Sequence, residues 1–234
     1  MNKMVTRVFP TSKMSDLVVA HPDTITVLER FGIALGFGDQ YVKEIAERYN
    51  INLQSFISIL QVFEGSIKSD IILEKEAIPD VLLFLKISHK YFEEERIPAI
   101  RELIGIFAKR INPQHGSVII SFFDGYMREV AEHFLYEDNI VFPYIDSIIS
   151  CFNSKDYNIR EFEKNHTDIE QKLLDLKNIL IKYIPENEMS SSRIRILKDL
   201  ITLEQDLIYH TIIEDHLLVP STKKIERLLK SNKD

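Results

Sequence analysis

The 234-residue chain is predicted to be all-α, an up-down four-helix bundle preceded by a small helical N-terminal domain. Three observations predict it. Gly and Pro are few, seven and eight, and apolar residues recur at steps of three and four, the period of a helix with one buried stripe. Long helical stretches are separated by short polar turns, which makes neighbouring helices antiparallel. The chain also repeats itself at an offset of 77 residues, as expected for two similar helical hairpins.

Residues 1–13 read as a lead-in, and residues 14–63 as the small N-terminal domain. Its short helices fall around Met14–Ala20, Pro22–Phe31, Gln40–Tyr49 and Asn52–Phe63, with Gly32, Gly36 and Gly38 marking a turn. So few residues make a weak core, so this domain is expected to dock on the rest or on a partner. Residues 64–77 are polar and charged and read as a linker, although Ile71-Ile72-Leu73 could extend a helix instead.

The bundle occupies residues 78–230. Its first helix runs from about Pro79, a residue suited to a first turn, to Lys109, and Pro98 should kink or break it. Asn112-Pro113-Gln114-His115-Gly116 signals a turn. The second helix continues to about Ser150 with a bend at Pro143, and Cys151–Tyr157 connects it to the third, Asn158–Tyr183, which stops before Pro185. Glu186–Ser191 is a polar loop with serine caps. The fourth helix spans about Ser192–Lys230, bent near Pro220.

The buried stripes carry polar residues. In the second helix the seam reads Ile119, Phe123, Tyr126, Val130, His133, Glu137, Ile140, Tyr144. In the fourth it reads Ile196, Leu200, Leu203, Leu207, His210, Glu214, Leu217. His133 and Glu137, like His210 and Glu214, are four apart and share a helix face. His89 and His166 occupy the seams of the first and third helices and are also 77 apart. Any one such histidine is more often a core residue satisfied locally. Six polar groups on the seams, recurring at one offset, point to a metal.

Four His and two Glu are too many for one tetrahedral zinc. They suit two metals sharing bridging carboxylates, with open positions for a small diatomic ligand. Imidazole and carboxylate without thiolate favour iron, with manganese or zinc as alternatives. Glu93 and Glu170 lie four residues after His89 and His166, on the flanks of their helices. They read as groups supporting the pocket, with direct ligation as the alternative. Ferritin-like centres use Glu-x-x-His with more carboxylates, which argues against that class. His21 reads as a surface or cap residue, His115 as part of a turn, and His216 as exposed.

The net charge of −7 leaves no basic face for a nucleic acid. Cys151 is the sole cysteine, which excludes an intramolecular disulfide and a cysteine-based metal site. It reads as a loop thiol. No stretch has the length and apolarity of a signal peptide or a membrane span, so the expected location is cytoplasmic.

These residues resemble the hemerythrin-like di-iron family, over about residues 78–225. The order His, His-x-x-x-Glu, His, His-x-x-x-Glu is similar to its iron–sulfur cluster repair branch (repair of iron centres). So are the tails Glu137-Asp138-Asn139-Ile140-Val141-Phe142-Pro143 and Glu214-Asp215-His216-Leu217-Leu218-Val219-Pro220. Residues 14–63 resemble the small N-terminal domain of that branch, through Glu29-Arg30-Phe31-Gly32-Ile33. Where the branch continues into a Cys-Cys-Gly-Gly turn, this chain has Gly36, Phe37, Gly38 and Asp39. The resemblance implies two iron ions, bridged by oxo and carboxylate groups. His89, His133, His166 and His210 would be terminal ligands, and Glu137 and Glu214 would bridge. It also implies a role in cluster repair or in the nitrosative and oxidative stress response, with nitric oxide or dioxygen as ligand and an iron–sulfur protein client or electron donor as partner. A homodimer is compatible with it. Two other classes stay open: a sensor signalling through the N-terminal helices, and a structural module holding zinc or no metal.

Overall fold

The computed structural model describes residues 7–150, 157–165, 170–185 and 190–231. Among these the protein is all-α, with a single isolated bridge between Lys13 and Tyr41 and no β-strand. The helices are α1 Met14–Ala20, α2 Ile25–Arg30, α3 Val42–Arg48, α4 Leu53–Glu64, α5 Ile78–Tyr91, α6 Ile97–Ala108, α7 Pro113–Tyr136, α8 Phe142–Ile149, α9 Ile159–Asn165, α10 Glu170–Asn178, α11 Ser190–Ile213 and α12 Val219–Ser231. No described helix is long and apolar enough to cross a membrane.

Four π-turns interrupt the long helices, at Phe92–Arg96, Glu137–Val141, Ile179–Tyr183 and Glu214–Leu218. Three of them end two residues before a proline: Pro98, Pro143 and Pro220. Proline brings no N–H and its ring collides with the carbonyl four residues back. Widening the preceding turn relieves that clash, and the N–H groups of Ile97 and Val219 bond five residues back, to Phe92 and Glu214. The helices therefore continue past these prolines. The extra residue in the turn also shifts the buried stripe. Ile140, expected on the seam, is 45% exposed, while Phe134 and Val141 are buried.

The chain divides into two compact units. One comprises His89–Val141 and Asn165–Ile208. Its core runs through Ile100, Ile104 and Phe107 of α6, Ile119, Phe123 and Val130 of α7, Leu173 and Leu176 of α10, and Leu200 and Leu203 of α11. Asn112 caps α7 by accepting from the Gln114 N–H at 2.9 Å, ahead of Pro113 in the first turn. Gly116 lies inside α7 rather than in the turn. A Cβ there would sit 2.5 Å from the Ala108 carbonyl oxygen, so only glycine lets α6 and α7 approach this closely. Arg101 pairs with Asp124, and Lys177 with Glu204.

The other unit comprises Met1–Ser88, Phe142–Lys164 and Tyr209–Asp234. Asn52 caps α4 by accepting from Gln54 and Ser55, and Gly65 ends it with φ 81°. Aromatic rings join the N-terminal helices to the long ones within this unit. Phe31 contacts Phe56 and Phe84 at centroid distances of 5.8 and 5.4 Å, and Phe63 contacts Phe84 and Tyr209 at 6.1 and 4.4 Å. Tyr209 also donates to Asp23 at 2.8 Å. The irregular segment before α5 finds its partners at the last π-turn. Pro220 has no N–H for the His216 carbonyl, and the Ile71 N–H supplies one at 2.8 Å. The Leu73 N–H donates to Ser221 Oγ at 2.8 Å, and Asp70 meets His216 Nδ1 at 2.9 Å.

Candidate metal centre

Each glutamate of the two His-x-x-x-Glu pairs opens a π-turn, and each histidine precedes it on the regular helix. Glu137 and Glu214 are fully buried, at 0% exposure. His89 and His210 are buried as well, and the His133 side chain is 8% exposed. Two ionised carboxylates withdrawn from water are costly unless positive charge lies between or beside them.

Glu137 is gripped from two sides. Its Oε2 lies 3.2 Å from His89 Nε2, and its Oε1 lies 3.0 Å from His133 Nε2. Beyond these two imidazoles, neither oxygen has a hydrogen-bond partner among the described residues. His210 Nε2 lies 3.3 Å from Glu214 Oε1. Burial opposes a charge on His89, but the Asp138 and Glu137 carboxylates outweigh it and push the imidazole up to about 9. Behind His89, the Phe134 ring stacks on the imidazole at 4.1 Å and 14°. Asp138 Oδ1 sits 3.1 Å from its Nδ1.

Metal-capable side chains meet within each unit: His89 and His133 face Glu137 in one, and His210 faces Glu214 in the other. Imidazoles and buried carboxylates make a nitrogen and oxygen donor set suited to a borderline or hard cation such as iron. The residues present therefore fit a metal.

The family model described as Hemerythrin HHE cation binding domain matches residues 84–223, more than half of the chain. The chain belongs to the hemerythrin family. No curated protein and no solved structure matches it. The match encloses every histidine and glutamate of the expected ligand set, and a metal-binding role with iron as the favoured ion follows from family and donor set together.

Of the six expected ligands of this hemerythrin domain, the structure sets His89 and His133 against Glu137, and His210 against Glu214. His166 lies outside the described residues, as does Cys151. Glu93 is exposed; partial burial pushes its carboxyl up, and nearby His89 opposes this. His21 is buried rather than on the surface, and caps the end of α1. His115 lies in the first turn of α7, and His216 is half-buried against Asp70. Sequence reasoning assigned nothing to Asp138 or Phe134. Asp138 had a signal, since Asp recurs at the same 77-residue offset as Asp215. Phe134 had none, because the seam pattern passes through its neighbour His133.

Proposed function

We propose that this hemerythrin-family protein carries a di-iron centre that binds a small diatomic ligand, nitric oxide or dioxygen, and acts in iron–sulfur cluster repair or the nitrosative and oxidative stress response. The observation that carries it is Glu137, a buried carboxylate whose two oxygens each face a different imidazole. One oxygen toward each of two histidines is the arrangement a bridging carboxylate needs. In this reading His89, His133, His166 and His210 hold the metals, and Glu137 and Glu214 bridge. The irons, when bound, supply the redox and ligand-binding chemistry. The chain's own contribution is to orient the imidazoles, with Phe134 stacked on His89, and to keep both carboxylates out of water. The repair role is supported by the two E-D-x-x-x-x-P tails and by residues 14–63, read as a small N-terminal domain joined through 64–77. An iron–sulfur protein client and an electron donor are the corresponding partners, in the cytoplasm.

Metal analysis of protein from iron-supplemented cells, read beside its visible spectrum, tests this. About two irons per chain, as a carboxylate-bridged pair requires, with charge-transfer bands in the visible would support it, and steady turnover of nitric oxide with a reductant would support the repair role. Stoichiometric zinc that iron does not displace would overturn the di-iron reading.

A second reading, a sensor of diatomic ligands or redox state, is favoured by Tyr209. This residue adjoins His210, packs its ring at a tilt against Phe63 and donates to Asp23, both in the N-terminal segment. Ligand-dependent change in hydrogen exchange of residues 14–63, without turnover, would select it.

A further inference from the structure

We propose that Asp138 is a positioning residue for the metal centre: it holds the Nδ1–H of His89, so that Nε2 is the nitrogen offered to the metal. The inference rests on the metal-binding reading above. A neutral imidazole has one N–H and one lone pair. Asp138 can only accept, and its Oδ1 lies 3.1 Å from Nδ1. An imidazole that gives Nε2 to a metal therefore keeps its one proton on Nδ1, against Asp138, while Nε2 is the nitrogen on the Glu137 side, 3.2 Å from that carboxylate. Consecutive residues leave a helix in directions about 100° apart. Glu137 and Asp138, adjacent in sequence, can thus grip opposite edges of one ring. Phe134 fixes the third degree of freedom by stacking on its face. The His89 ring is 1% exposed while the Asp138 side chain is 38% exposed, so the carboxylate reaches the buried ring from the hydrated edge of the site. A carboxylate on the remote N–H also makes the ligating nitrogen more basic. Asp recurs 77 residues on, at Asp215, beside the other buried glutamate.

The test uses the full chain and zinc ion alone, with affinity from chelator competition and the His89 ring proton from 15N–1H spectra of histidine-labelled, zinc-loaded protein. In Asp138→Ala the zinc affinity should fall about 10- to 100-fold, and the slowly exchanging Nδ1–H resonance should disappear. Asp138→Asn keeps an acceptor without the charge and should fall between. It also carries the test if the alanine variant does not fold. Asp146→Asn removes a surface carboxylate that pairs with Lys86 and should bind as wild type. Wild-type affinity with an intact Nδ1–H signal in Asp138→Ala would overturn the inference, as would equal losses in Asp138→Ala and Asp146→Asn. Failure of every form, wild type included, to take up zinc would overturn the metal-centre reading itself.

Discussion

Glu137 is buried completely and has an imidazole nitrogen at either oxygen. Such a group is tolerated when a cation completes it, and removing it leaves two histidines without their shared partner. Glu137→Ala and His133→Ala are therefore expected to weaken metal binding by more than about tenfold, or 1.4 kcal/mol. Wild-type stoichiometry and affinity in both would sink the site assignment. In the metal-free protein the same residues make stability depend on pH. The His89 imidazole is raised from 6.5 to about 9 on folding. Its contribution is fully present below pH 6.5 and is lost as pH rises through about 9. Denaturant midpoints of chelator-treated protein across that window should fall, and His89→Gln should flatten the slope. A wild-type slope in His89→Gln would refute this origin.

At the level of the helices, packing in the unit built on α6, α7, α10 and α11 rests on close approach as much as on apolar area. A methyl group at Gly116 would strike the Ala108 backbone. Gly116→Ala should cost about 1–3 kcal/mol, read as a lower thermal midpoint with metal content per folded chain unchanged. Leu200→Ala opens a cavity in a fully buried core and should cost about 2–5 kcal/mol. The prolines were legible as places where a helix must adjust, but periodicity alone suggested a kink or break. The structure absorbs Pro98, Pro143 and Pro220 in wider turns and keeps the helices running. That shift is why Ile140 faces outward although the three-and-four pattern puts it on the seam.

For the whole molecule, the metal should act as a ligand of the native state. Ligands drawn from separate helical segments, as His89 and Glu137 are, come together only on folding, so binding free energy becomes folding free energy. Free metal at a hundred times its dissociation constant should add about 2.7 kcal/mol, and chelation should lower the thermal midpoint correspondingly. A midpoint indifferent to chelator would exclude a structural contribution of the site.

The all-α class, the helix order and the candidate ligands were legible in the sequence because each depends on local spacing. Residues four apart on a helix share a face wherever that helix goes, and a repeat at 77 residues reveals equivalent positions without coordinates. What tertiary structure decided is everything that needs two segments at once. It chose Asp138 for His89, 49 residues away, and laid Phe134 on the same ring. It gave the carbonyl freed by Pro220 to Ile71, and it withdrew Glu137 and Glu214 wholly from water. Spacing along a chain determines which side chains share a face, but only the packing of one segment against another determines what that face meets.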